Sequence, residues 1–125
     1  MREILFRGKS ERSGEWLIGH YTEWVLPDGS KDVYIHPALN RYGEKVNPES
    51  VGQYVGLDDA KGSMIYEGDI VELSLWPGSH FLGVVEWSAK DCAFHIRLSP
   101  NNSTGMRYNL TVRGNVHDNP ELMQM

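Results

Sequence analysis

Tyr108-Asn109-Leu110-Thr111-Val112-Arg113 alternates three apolar with three polar side chains. A period of two is the signature of a strand with one face on a core and one in water. The same rhythm recurs nearby. Val71, Leu73 and Leu75 alternate with Glu72 and Ser74, and Cys92, Phe94, Ile96 and Leu98 share a face from which His95 and Arg97 point away. Few windows sustain a helical period, and 13 Gly and 6 Pro cut the apolar residues into short runs. The chain reads as mainly β, built of half-buried antiparallel strands.

Turn chemistry joins these strands. Pro27-Asp28-Gly29-Ser30 places a tight turn between a strand near Trp16 to Val25 and one near Lys31 to His36. Ser88 to Asp91 closes a hairpin between Val84-Val85-Glu86-Trp87 and the strand from Cys92. Trp76-Pro77-Gly78-Ser79 ends the strand that starts at Ile70. Asn47-Pro48-Glu49-Ser50 and Asn119-Pro120-Glu121-Leu122 each put Asn at an N-cap and Pro at the first helical position, which predicts one or two very short helices. From about Val51 the order of Gly68-Asp69, strand, loop, Gly83-led strand, hairpin and strand suits an SH3-like small barrel. Residues 51–125 are assigned to that barrel and residues 1–50 to an N-terminal β segment. Two readings of that segment stay open: a layer completing the core, or an arm that packs on another subunit.

The totals exclude several classes. The 125 residues are the size of one domain. The lone Cys92 excludes an internal disulfide. No apolar run approaches the ~20 residues of a membrane span, and the opening Met1 to Gly8 is too short in apolar length for a signal peptide, so a cytoplasmic location is expected. Twelve basic against 17 acidic residues, a formal charge of −5, argue against avid nucleic-acid binding, because neutralising phosphates needs clustered cations.

No reagent assembles from the pattern. Cys92 and His95 lie three apart in a strand, on opposite faces, and Cys92 follows the parity of Phe94 and Ile96 as a small core residue. His20, His36, His80, His95 and His117 show no His-x-His or His-x-x-x-His spacing, so neither a metal nor a cofactor is expected. Asp58-Asp59-Ala60-Lys61-Gly62 fails as a calcium loop, with Ala60 and Gly62 at ligand positions, and reads as a turn. Glu67 and Asp69 flank a glycine and read as a solvated turn.

What remains is surface. Trp76 and Phe81 sit in the loop Leu75 to Leu82, where a large apolar side chain either caps the core or waits for a partner. Trp16 and Trp24 are an even number apart and fall on one strand face, with burial in the core as the default and contact with a second subunit as the sharper alternative.

Val51-Gly52-Gln53-Tyr54-Val55-Gly56-Leu57-Asp58, then Gly62 and Ile65-Tyr66-Glu67-Gly68-Asp69-Ile70-Val71, resemble the central signature of the YopX-like family. Ile4-Leu5-Phe6-Arg7-Gly8 with Gly14-Glu15-Trp16 resembles the family's start, and Gly114 to Leu122 its end. The resemblance implies a phage or prophage origin, an SH3-type barrel in the second half and self-association, and it implies no activity. Gly52, Gly56, Gly62, Gly68 and Gly114 are expected at reversals or close backbone approaches. Asp58 and Asp69 are expected to hold turns through side-chain bonds to backbone N–H groups. The resulting expectation is a non-enzymatic binding or assembly module, homo-oligomeric and partnered by a phage or host protein. A nucleic-acid accessory role through Arg97, Arg107 and Arg113 is the alternative.

Overall fold

A computed structural model describes residues 3–37, 42–107 and 109–123. Met1, Arg2 and Tyr108, used above in reading the opening and the first-quoted strand, lie outside the described residues. The protein is mainly β and divides into two compact units, 1–54 and 55–125. The division falls four residues beyond the one read from sequence, because strand β5 (Gly52–Asp58) begins in the first unit, where Gly52 and Gln53 pair with β1.

In the first unit β1 is Phe6–Lys9, β2 Trp16–Val25, β3 Lys31–Pro37 and β4 Glu44–Val46, in the order β4-β3-β2-β1 with the start of β5 beside β1. β2 and β3 form the antiparallel hairpin expected from Pro27 to Ser30, and Asp28 accepts bonds from the Ser30 backbone N–H and hydroxyl in its turn. Odd-numbered residues face the core: Val33 and Ile35 on β3 and Leu17 and Tyr21 on β2 pack with Val46, Phe6 and Val51. Gly8 is part of that fit, since a Cβ there would lie 2.9 Å from Val46 Cγ2. A 3-10 turn at Pro48–Ser50 is capped by Asn47, whose side chain accepts from Glu49 N–H.

In the second unit β6 is Met64–Tyr66, neighbour to β5. Then follow β7 Asp69–Leu73, β8 Phe81–Ser88, β9 Ala93–Ser99, β10 Asn102–Gly105 and β11 Thr111–Asn115, ordered β10-β9-β8-β7-β11. The pairings are antiparallel. The core is Ile65, Val71, Leu73, Val85, Ile96 and Leu110, with Val55, Phe81, Leu98 and Val112 packed around it. Glycine serves packing here too: a Cβ on Gly83 would clash with Ile96 Cγ2. A second 3-10 turn, Pro120–Met123, follows β11. Asn119 precedes it, with its C=O accepting the Leu122 N–H at 3.1 Å and its side chain accepting from Asn115 N–H.

Three local expectations are corrected. The last strand starts at Thr111 and leaves out Asn109 and Leu110, because Asn109 has φ +65°, outside any strand geometry. Cys92 is exposed, not in the core. Pairing of Ser88 with Ala93 leaves residues 89–92 as the hairpin loop, and Cys92 closes it at φ +52°, so strand parity does not reach it. Gly52, Gly56 and Gly114 lie within strands rather than in turns. Gly56 does need its glycine, at φ +90°, and Gly114 lies where a Cβ would meet Asn119 Oδ1 at 2.5 Å.

Candidate functional site

Of the signature residues, Gly62, Gly68 and Asp69 do their work inside the second unit. Gly68, at φ +89°, turns the chain into β7, donates its N–H to Val85 C=O at 2.8 Å and accepts from Val116 N–H at 2.9 Å. The stretches around Glu67-Gly68-Asp69 and Asn115-Val116-His117 therefore meet. Asp69 is buried and accepts the Tyr66 N–H at 2.8 Å. Gly62, at φ +87°, ends the turn that Asp59 organises.

Asp59, rather than the expected Asp58, is the organiser. It is 8% exposed, whereas Asp58 points outward. One carboxylate oxygen accepts from Lys61 N–H at 2.9 Å and Ser63 N–H at 2.8 Å, and the other takes Val112 N–H at 3.0 Å, tying the turn to β11. Burial pushes its pKa up, but the bonds from Val112, Ser63 and Lys61 outweigh burial and hold the carboxyl below its ordinary range. Neither the Asp58-Asp59 pair nor any alternation in the sequence signals which aspartate turns inward.

Ionisable groups meet on the outer face of β8 and β9. Glu86 is opposite His95 in register; one of its oxygens lies 3.3 Å from His95 Nε2 and the other accepts Arg97 Nε–H at 2.9 Å. His95 Nδ1 is buried without a partner. The group borders an open depression of about 650 Å³ that Glu67, Gly68, Trp87 and Val116 also line. Both oxygens of Glu86 are engaged, so its evident effect is to orient Arg97 and neutralise it. The sequence reading missed this triple, although a four-residue loop after Ser88 fixes Glu86 opposite His95. Arg113 pairs with Glu72 at 3.3 Å, and Arg107 donates to Thr104. The Arg113 bond comes first among the interactions that hold Glu72 below the usual carboxylate range. His20 and His36 face one another across β2 and β3, with His36 Nε2 2.7 Å from Thr22 Oγ1. Among the described residues no group of three or more His, Cys, Asp or Glu is placed to hold a metal.

The aromatic candidates separate. Phe81 lies on β8, half-buried against the core of the second unit, and Trp76 stands edge-on to it at 5.3 Å between ring centroids while remaining 60% exposed. Trp16 and Trp24 do share a face, but burial in the core is overturned for both. Leu17 and Tyr21 take the core side of β2, so every even-numbered residue faces away. Trp16 is half-covered by the Arg7 guanidinium, 4.7 Å from its ring centroid. Trp24 is 67% exposed, and the next two residues, Val25 and Leu26, are exposed as well. Val25 and Leu26 went unremarked in the sequence, since nothing local shows that β1 stops short of them. Among the described residues β1 pairs with β2 only from Trp16 to Gly19 and β4 with β3 only as far as Val33, opposite Glu23, so the last rungs of the hairpin, Trp24 with Asp32 and Val25 with Lys31, extend past both.

Fold and surface together define an all-β protein of two compact units whose exposed tryptophans are Trp24 at a ribbon end, Trp76 in a loop and Trp87 on β8. The chain belongs to the YopX family: the family described as YopX protein matches residues 5–124. It is similar to the crystal structure of protein EF1440 from Enterococcus faecalis, with TM-score 0.59 and 20% identity over 99% of this chain and 100% of that one, a likeness of fold. No curated protein matches it. Among the described residues no helix is long and apolar enough to cross a membrane.

Proposed function

We propose that this protein is a non-enzymatic binding and assembly module that self-associates through the end of its β2–β3 ribbon. One observation carries the reading: Trp24, Val25 and Leu26, contiguous in sequence, are all exposed at the tip of a ribbon held at its base by β1 and β4. A two-stranded ribbon is marginal in water by itself, and its exposed apolar side chains, Trp24 and Leu26 on one face and Val25 on the other, are what a partner would cover. The proposal includes a cytoplasmic location, a phage or prophage origin and an SH3-like barrel in the second unit. The resemblance supports the origin, and the β7–β10 meander with β11 returning beside β7 supports the barrel. The nucleic-acid alternative has less support, since Arg97 and Arg113 are each paired with a carboxylate.

Sedimentation velocity over a concentration series tests the reading. A mass rising above that of one chain is the expected result. A single-chain mass at every concentration, with no protein partner retained from host extract, defeats it.

A further inference from the structure

We propose that the closing block of the chain is a releasable strap: residues 116–123 lie across the outer face of β7 and β8, cover an apolar strip of Ile70, Leu82 and Val84, and open as a unit without unfolding the sheet. The inference concerns the second unit alone and stands whether or not the ribbon end self-associates.

The register places the strip. Ile70 is paired with Val84 and Glu72 with Leu82, so these four side chains share one face of the sheet, opposite to Val71, Leu73 and Val85 of the core. Ile70 is 0% and Val84 4% exposed although they face away from that core. The closing residues of the same unit lie on their side. Gly114 is opposite Ile70, and the space that a Cβ on Gly114 would take holds the Asn119 side chain. Val116 and Val84 border the same depression. The 3-10 turn at Pro120–Met123 then lies against β8. There Leu122 and Met123 meet Phe81 and Leu82 around a cleft of about 400 Å³ that Leu98 and Pro100 also line.

The way the strap is held makes it a separate unit. Asn115 Oδ1 accepts the His117 and Asp118 N–H groups, Asn115 C=O accepts the Asn119 N–H, and Asn119 C=O accepts the Leu122 N–H. These bonds are internal, so the segment keeps its shape when it moves. At its start Val116 N–H donates to Gly68 C=O at 2.9 Å, a backbone tie to the turn before β7. Among the described residues no hydrogen bond or ion pair joins Pro120–Met123 to a strand. None of these four residues is buried, and the cleft leaves the contact of Leu122 and Met123 with β8 incompletely packed. A segment with few buried apolar contacts and no ladder bonds opens locally, at far lower cost than global unfolding. Ion pairs already in place bound the strip it bares: Arg97, opposite Val84, holds Glu86, and Arg113 holds Glu72. The closing block of the sequence is thereby explained residue by residue. Gly114 makes room for Asn119, Asn115 and Asn119 close the turn, Pro120 begins the 3-10 turn, and Leu122 meets β8.

Residue-resolved amide exchange of the full chain tests the inference. In the unaltered protein the Val116 amide should exchange at least about tenfold faster than the slowest amides of β7 and β8. Leu122→Asp sets a charge where the turn meets β8. It should speed Val116 exchange about tenfold further, leave the slowest amides of β7 and β8 within about twofold, and raise the fluorescence of the apolar dye anilinonaphthalene sulfonate as the strip is bared. Gly114→Ala displaces Asn119 and should act in the same direction from the other end of the strap. Glu121→Ala, exposed on the same turn, should change neither readout. A Val116 amide that exchanges only together with β7 and β8 in the unaltered protein overturns the strap as a separate unit, and this readout decides even where a variant fails to fold. Fast Val116 exchange with dye binding unchanged in both Leu122→Asp and Gly114→Ala overturns the cover over the strip.

Discussion

Asp59→Ala separates a turn that merely occurs in the sequence from one that holds the second unit together. The carboxylate takes three backbone N–H groups at 2.8–3.0 Å from Lys61, Ser63 and Val112. Removing it leaves three donors, but they are not equally costly. Lys61 and Ser63 are exposed and regain water, whereas Val112 is half-buried against the core and regains little. A buried donor left unpaired costs about 1–3 kcal/mol, and loss of the two surface bonds adds about 1 kcal/mol more, so we expect about 2–4 kcal/mol of lost stability. Chemical denaturation of the second unit measures it, and faster amide exchange at Val112 locates it. The pH dependence gives an independent check. The folded carboxyl titrates below its unfolded value, so the stabilisation is complete above the unfolded pKa of ~3.9 and is lost as the pH falls through the lower folded value. The gap between the unaltered protein and Asp59→Ala should therefore close on acidification below about pH 4. A variant within about 0.5 kcal/mol of the unaltered protein at neutral pH, or a gap that widens on acidification, refutes the account.

Three further outcomes follow from the packing, the backbone and the exposure of one thiol. Gly83→Ala should cost about 1–3 kcal/mol by denaturant titration, because the added methyl group lands on Ile96 Cγ2 and 3.1 Å from the Arg97 carbonyl. Cys92→Gly should stabilise the protein by up to about 1 kcal/mol, since it relieves a left-handed backbone conformation in an exposed loop. In the unaltered protein Cys92 should react with a thiol reagent without denaturant.

The sequence carried the β class, the hairpins at Pro27 to Ser30 and Ser88 to Asp91, and the short turns after Asn47 and Asn119, because each depends on residues a few positions apart. Alternation and turn chemistry are local, and a strand's two faces are visible in its own side chains. Which face is buried is another matter. Trp16 and Trp24 were correctly placed together, but only the parity of Leu17 and Tyr21 against Val33 and Ile35, across the sheet, decides that both tryptophans face away from the core. Asp59 rather than Asp58 anchors its turn for the same kind of reason: its third partner, Val112, is 53 residues away. Trp24 to Leu26 are exposed where, among the described residues, β1 pairs no further than Gly19 and β4 no further than Val33, and no property of residues 24–26 encodes where another strand will stop. Bends and alternation arise from short-range sterics and hydrogen bonds, so the chain announces them. Burial, long-range pairing and free edges depend on which distant segments arrive, and they come into being with the tertiary structure.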